Sequence, residues 1–299
     1  MPLFKLPKWI DPHLYKNKKF TDLTETELAD LKSRIVNFSA EMPDVSVVIP
    51  AWNEENNIFR AVSSIAANRT SFKVEIVVIN NNSTDGTQQV LERLGLRNYF
   101  QPEQGTPYAR QMGLDVARGR FHLCADCDTF YPPNWIDLMI KPMQQNPTVK
   151  GVYGRYSFIP PAGENRFGLK IYEMITGLLI QIRKQNREYL NVLGFNMGFV
   201  TEAGRHPNGF LVNKSRKFDN AAGSEYFVEE AEDGRMALHL KKQGRLKLVM
   251  HPDARVYTSA RRLMYDGGIF KAFKNRLKLH TKSISAYLSG KNSTSVLQN

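Results

Sequence analysis

The sequence predicts an α/β protein built on a mostly parallel sheet flanked by helices. Two observations carry that expectation. Between residues 45 and 156, short β-branched apolar runs alternate with spans of helical periodicity, the rhythm of crossover units. Polar clusters follow three of the runs, at the carboxyl ends where such sheets bind ligands. With 299 residues, 42% of them hydrophobic, the chain has enough apolar material for one large core or two small ones.

The elements follow in order. Residues 1–43 read as an N-terminal extension with one helix over 24–38, where Thr24 and Glu27 have the spacing of a capping box. Pro43-Asp44 marks the boundary. A buried strand over 45–49 stops at Pro50, and a helix over 54–67 keeps Ile58, Val62 and Ile65 on one face. A second strand spans 74–79, a polar loop 80–86 and a helix 87–94. A short strand near Tyr99, a helix over 107–117 and a strand over 121–125 come next. Asp126-Cys127-Asp128 follows that strand directly. A helix over 133–145 and a strand over 149–156 complete the regular half. Beyond it, 167–184 and 229–243 are helical, 194–198 is a glycine-bracketed turn, and 246–250 and 255–258 are short strands. Residues 261–299 form a basic C-terminal segment, with helical periodicity over 265–287.

Bulk charge narrows the partners. The net charge of +12 suits polyanions such as nucleotides or anionic lipid headgroups. No nucleic-acid-binding motif accompanies it, so nucleic acid is not expected as a partner. Cys124 and Cys127 have C-x-x-C spacing, but no second Cys/His pair completes a zinc set, and incidental thiols in a reducing compartment are expected. Met1 to Pro7 is too short and interrupted for a signal peptide, and no apolar run reaches membrane-spanning length. The expected location is cytoplasmic. The 265–287 stretch mixes Lys271, Lys274, Arg276, Lys278 and Lys282 with apolar residues, a pattern shared by packed amphipathic helices and by helices lying on an anionic membrane face.

The three polar clusters are Asn53-Glu54-Glu55, residues 80–85, and Asp126-Cys127-Asp128. A hard divalent cation takes oxygen ligands, often one or two carboxylates plus substrate phosphates. Asp126 and Asp128 supply such a pair, and both reach one site where the chain turns out of its strand.

In that order and spacing, five stretches resemble family-2 glycosyltransferases: residues 45–55, 82–87, 105–113, Asp126-Cys127-Asp128 with Pro133 and Trp135, and Glu232-Asp233. The resemblance covers roughly 44–260 and implies the GT-A fold, a Rossmann-like mostly parallel sheet with a smaller acceptor-side subregion. It implies a nucleotide-diphospho-sugar donor, with a UDP-sugar first among the options, a glycan or lipid-linked acceptor, and a Mn²⁺ or Mg²⁺ ion. Pro50, Ala51, Asn53 and Glu55 would line the nucleoside pocket, and Asp85 would join the same donor site. Asn80 stands where the family usually has an Asp that accepts from the base; an amide accepts and also donates. Arg110 would face the donor phosphates, Asp128 would bind the metal, and Asp126 would contact ribose or sugar and serve as the second metal candidate. Asp233, with Glu232 beside it, would be the general base of an inverting transfer. Asn196 would lie near the sugar, and Arg261 and Arg262 would return to hold the diphosphate or an anionic acceptor. Relatives often place a metal-binding His in this region; none stands in 252–279, so the ion would rely on Asp128, phosphate and water.

Two other readings compete. A sugar-phosphate nucleotidyltransferase wants a glycine-rich loop after the first strand, and Pro50-Ala51-Trp52-Asn53-Glu54-Glu55 is acidic and glycine-free. A non-catalytic nucleotide-binding protein would keep the pocket without the base.

Overall fold

The computed structural model describes residues 5–161, 166–206, 209–211, 232–261 and 271. Its first helix, Glu25–Val36 (α1), starts as its capping box dictates: the Thr24 hydroxyl accepts from the Glu27 amide, and the Glu27 carboxylate accepts from the Thr24 amide at 2.8 Å. Then come Val45–Ala51 (β1), Ile58–Ile65 (α2), Val74–Asn80 (β2), Thr87–Leu94 (α3), Arg97–Phe100 (β3), Thr106–Val116 (α4) and Phe121–Cys124 (β4). Thr129–Phe130 (β5), Trp135–Gln145 (α5), Val149–Gly154 (β6), Tyr156–Ile159 (β7) and Phe167–Asn186 (α6) follow. Met197–Val200 (β8), Thr201–Arg205 (α7), Glu232–Gln243 (α8), Arg245–Val249 (β9) and Val256–Ser259 (β10) complete the described elements.

All seven residues of β2 and six of seven in β1 are buried. Continuous β-branched runs of this kind belong in strands covered on both faces. Seven strands pair in the order β3-β2-β1-β4-β8-β6-β9, and within this sheet β8 alone runs against its neighbours. Ala51 pairs with Asn80, and Val48 with Cys124, so β1, β2 and β4 end on one rim. A smaller sheet, β5-β10-β7, extends from that rim.

Four sequence expectations change. Residues 5–43 are no loose extension: Phe20, Leu28, Leu31, Ile35 and Phe38 join the core formed by β1, α2 and β2. His13 Nδ1 lies 2.8 Å from Ser63 Oγ on α2, and Phe38 O accepts from the Ile76 amide. The helix expected from residue 54 begins at Ile58, because Asn53 takes a left-handed φ of 53° and residues 54–57 form a turn wired to the next loop. The strand over 149–156 divides into β6 and β7 where the Asn196 side chain enters, its Nδ2 donating to Arg155 O. The turn at 194–198 leads into β8, the reversed strand between β4 and β6. No described helix is long and apolar enough to cross a membrane.

Candidate active site

Two loops meet at the ends of β1 and β2. Asn53 Oδ1 accepts from the Thr84 amide at 2.8 Å, and the Asn53 amide donates to Ser83 Oγ at 3.0 Å. Glu55 Oε2 accepts from the Gly86 amide at 2.9 Å. Asp85 accepts from the amides of Glu55, at 3.2 Å, and Thr87, at 3.0 Å. The structure therefore brings Asn53, Glu55 and Asp85 together as a mutual clamp behind Pro50 and Ala51. Asn80 ends β2 on the same rim, paired with Ala51. Its side chain is 1% exposed, its Oδ1 accepts from the Ser83 amide and its Nδ2 donates to Gln88 on α3. Both ends of the amide hold the loop.

The acidic pair follows β4. Cys127 turns inward, with its thiol donating to Pro50 O at 3.2 Å, and burial pushes that thiol well above the usual range. The alternation sends Asp126 and Asp128 to the site. Asp128 Oδ2 lies 3.4 Å from Arg261 Nη2, and that same nitrogen donates to Glu54 Oε1 at 2.7 Å. The Ser259 amide donates to Asp128 O at 3.0 Å, so β10 carries Arg261 back to the rim as the sequence led one to expect. Arg262 and the 265–287 stretch, apart from Lys271, lie outside the described residues. Glu54 is a partner that sequence reasoning passed over; its only signal was membership in an acidic cluster.

Asp126 has a different partner from Asp128. Its Oδ1 accepts from Arg110 Nη2 at 2.8 Å, and Arg110 Nε lies 3.5 Å from Glu232 Oε1. Arg110 is 4% exposed. The cation is buried because α4 packs beneath β1 and its side chain fills the space beside Gly194. A β-carbon on Gly194 would stand 2.5 Å from the guanidinium, so a side chain there would displace it. The surrounding acids raise the pKa of the guanidinium despite burial, so it stays charged.

Asp233 opens α8 beside this cation. Its Oδ2 accepts from the Gly194 amide at 3.0 Å and its Oδ1 from the Gly234 amide at 2.7 Å. Burial first, and the Glu232 charge second, push its carboxyl up to about 6; the two amides and Arg110 pull the other way. Tyr131, unremarked in the sequence, joins the halves: its hydroxyl accepts from the Asp126 amide at 2.8 Å and donates to Phe195 O at 3.1 Å. Asn196 sits at the turn before β8. It is 1% exposed, and its amide is spent on Trp135 Nε1, Arg155 O and Ala254 O.

Among the described residues no three His, Cys, Asp or Glu side chains cluster as a self-sufficient metal cage. The donor set still suits a hard cation, because Asp128 presents carboxylate oxygen at a rim where phosphate oxygens can complete the shell.

A mostly parallel sheet flanked by helices, with an acidic pair where the strands switch from parallel to reversed and a second acidic pair at the start of α8, is the architecture of the GT-A fold. Residues 46–205 match the family model for glycosyl transferase family 2, and the chain belongs to that family. It is 28% identical over 211 residues to the chondroitin synthase of Pasteurella multocida strain Pm70, covering 67% of this chain and 20% of that protein. A hyaluronan synthase of Pasteurella multocida matches with the same identity and coverage, so the chain spans about a fifth of the length of these curated relatives. Glycosyltransferase AglE of Haloferax volcanii is 25% identical over 182 residues, covering 58% of this chain and 59% of that protein. Two solved structures share the fold. The mannosyltransferase PcManGT from Pyrobaculum calidifontis, in complex with GDP-Man and Mn²⁺, aligns with a TM-score of 0.51 at 17% identity, over 90% of this chain and 76% of that one. TarS 1–349 of S. aureus, in complex with UDP, aligns with a TM-score of 0.52 at 15% identity, over 82% and 70%.

Proposed function

We propose that this chain is an inverting glycosyltransferase that moves a sugar from a nucleotide-diphospho-sugar to an acceptor hydroxyl, with Asp233 as the general base. The observation that carries the reading is the placement of Asp233. It is a half-buried carboxylate, held by two backbone amides, with its proton affinity raised into the range of a working base. It is joined through Arg110 to the donor-side Asp126.

The roles follow from position. The Asn53–Glu55–Asp85 clamp fixes the loops around the nucleoside, with Pro50 and Ala51 as its wall and Asn80 as an inner brace. Asp126 has one oxygen committed to Arg110, so the metal role falls to Asp128. A bound Mn²⁺ or Mg²⁺, held by Asp128 and the donor phosphates, would neutralise charge on the leaving diphosphate. Arg261, shared between Glu54 and Asp128, stands ready to exchange those carboxylates for phosphate oxygens, and Arg262 would extend the same role. Asp233 takes the acceptor proton as the hydroxyl attacks from the face opposite the leaving group.

The donor base, the sugar and a glycan or lipid-linked acceptor belong to the same proposal. The bound UDP in the TarS structure and GDP-Man in that of PcManGT make UDP- and GDP-sugars the first donors to try. Work at the cytoplasmic face of a membrane is supported by the basic 265–287 sequence. The test is a panel of UDP-, GDP- and dTDP-sugars, with and without Mn²⁺, read as donor hydrolysis or transfer and as thermal shift. One donor should raise the melting temperature only with metal and should turn over. No shift and no turnover with any donor would defeat the reading.

A further inference from the structure

The described residues place three carboxylates, Asp126, Glu232 and Asp233, around one buried guanidinium, that of Arg110. Were all three acids ionised, the cluster would carry a net charge of about −2, which a buried site resists by retaining a proton on its least supported acid. Asp126 has an ion pair at 2.8 Å, and Glu232 lies 3.5 Å from Nε. Asp233 has backbone amides and only the through-space field of Arg110.

The geometry is built around that one cation. Gly194 leaves the space the guanidinium fills, and the Gly194 amide is itself a donor to Asp233. Arg110 thus touches the donor loop through Asp126, the start of α8 through Glu232, and the 194 turn by contact. Few single side chains meet all three parts of the site.

We propose that Arg110 is a positioning residue of the transfer reaction, bracing Asp126 and Glu232 in one constellation and holding its charge beside Asp233. This rests on the reading of Asp233 as the base. The groups facing Asp233 are Glu232 and the Gly234 amide on its own helix, Arg110 from α4, the Gly194 amide from the turn before β8, and Cys124 from β4. Cys124 is buried with its thiol pushed up to about 12, so it stays neutral, and among the described residues the cation of this set is Arg110.

Two full-chain variants and the parent decide the matter, each followed by kcat/KM against pH and by ¹³C NMR titration of the Asp233 carboxyl. The parent should show an acid limb near 6. Arg110→Met should move both the limb and the carboxyl midpoint upward by about 1 unit or more. Arg110→Lys should return both most of the way while recovering less of the rate, because an ammonium cannot span two acids as the planar fork does. Should Arg110→Met fail to fold, Glu232→Gln gives the complementary result, a midpoint moved downward. An unmoved midpoint in these variants overturns the proposal. So does a donor KM raised tenfold in Arg110→Met with the limb unchanged, which would make Arg110 a phosphate ligand. The NMR titration needs no turnover, so failure of the transferase reading and failure of this inference remain distinguishable.

Discussion

Two carboxylates, one buried and one half-buried, stand at opposite ends of the sheet, and their surroundings differ in kind. Glu75, at the amino end of β2, is 1% exposed. It accepts from Ser46 Oγ at 2.6 Å, from the Arg118 amide at 2.8 Å, from Arg118 Nε and Nη2 at 2.9 and 2.7 Å, and from Arg97 Nη1. Burial alone would raise its pKa; these donors more than offset that and hold it below the usual range. Asp233, at the carboxyl-end rim, has two amides, an adjacent acid and a shared cation, and is pushed up. One end of the sheet uses its carboxylate to lock structure. The other holds a carboxylate whose charge is costly, which is the condition of a base.

The comparison has opposite signs in pH. Glu75 has a lowered folded pKa, so its stabilisation is present above the unfolded value and is lost as pH falls through the folded one. Asp233 has a raised folded pKa, so its contribution is present at low pH and is lost as pH rises through about 6.

The largest expected effect is on chemistry. Asp233→Asn should lower transfer by about 10²–10⁴-fold while donor affinity, measured by calorimetry, changes little. Glu75→Gln should do the reverse. It should cost about 3 kcal/mol in denaturant unfolding, near the low end for a broken buried pair because Arg118 stays partly in water, and leave the acid limb of the rate profile in place. A shifted limb in Glu75→Gln would erase the distinction between the two ends. The third effect sharpens the pH argument. Asp233→Asn should stabilise the fold at pH 8, by at most about 3 kcal/mol, and by far less near pH 4, as melting curves at the two values would record. The smallest concerns the floor of the site. Trp135→Phe removes the donor to Asn196 Oδ1 at 2.9 Å and should cost about 1–3 kcal/mol without moving the pH profile.

Much of the donor half was legible in sequence because its signals are local. The capping box at Thr24 and Glu27, the β-branched strands 45–49 and 74–79, and the acidic pair directly after β4 each depend on near neighbours. The acceptor half depends on distant ones. Nothing local in the 107–117 helix tells that Arg110 is buried, since its partners arrive from the loop after β4, from the 194 turn and from α8. Asn80 and Asn196 read as ligand contacts because polar residues at strand ends usually are. Their amides also hydrogen-bond buried backbone and side-chain groups, contacts that a closed core demands and a sequence does not display. The two-residue β5 has too few residues to show a period, and the reversed β8 is set by pairing with β4 and β6.

The most direct test sets the parent beside Asp233→Asn, with kcat/KM for sugar transfer followed from pH 4.5 to 8.5 under saturating metal. The parent should rise with pH through a midpoint near 6 and then level off, and the variant should be slow and lack that rise. An Asp233→Asn enzyme that transfers sugar at the parental rate, with the same limb, would contradict the account.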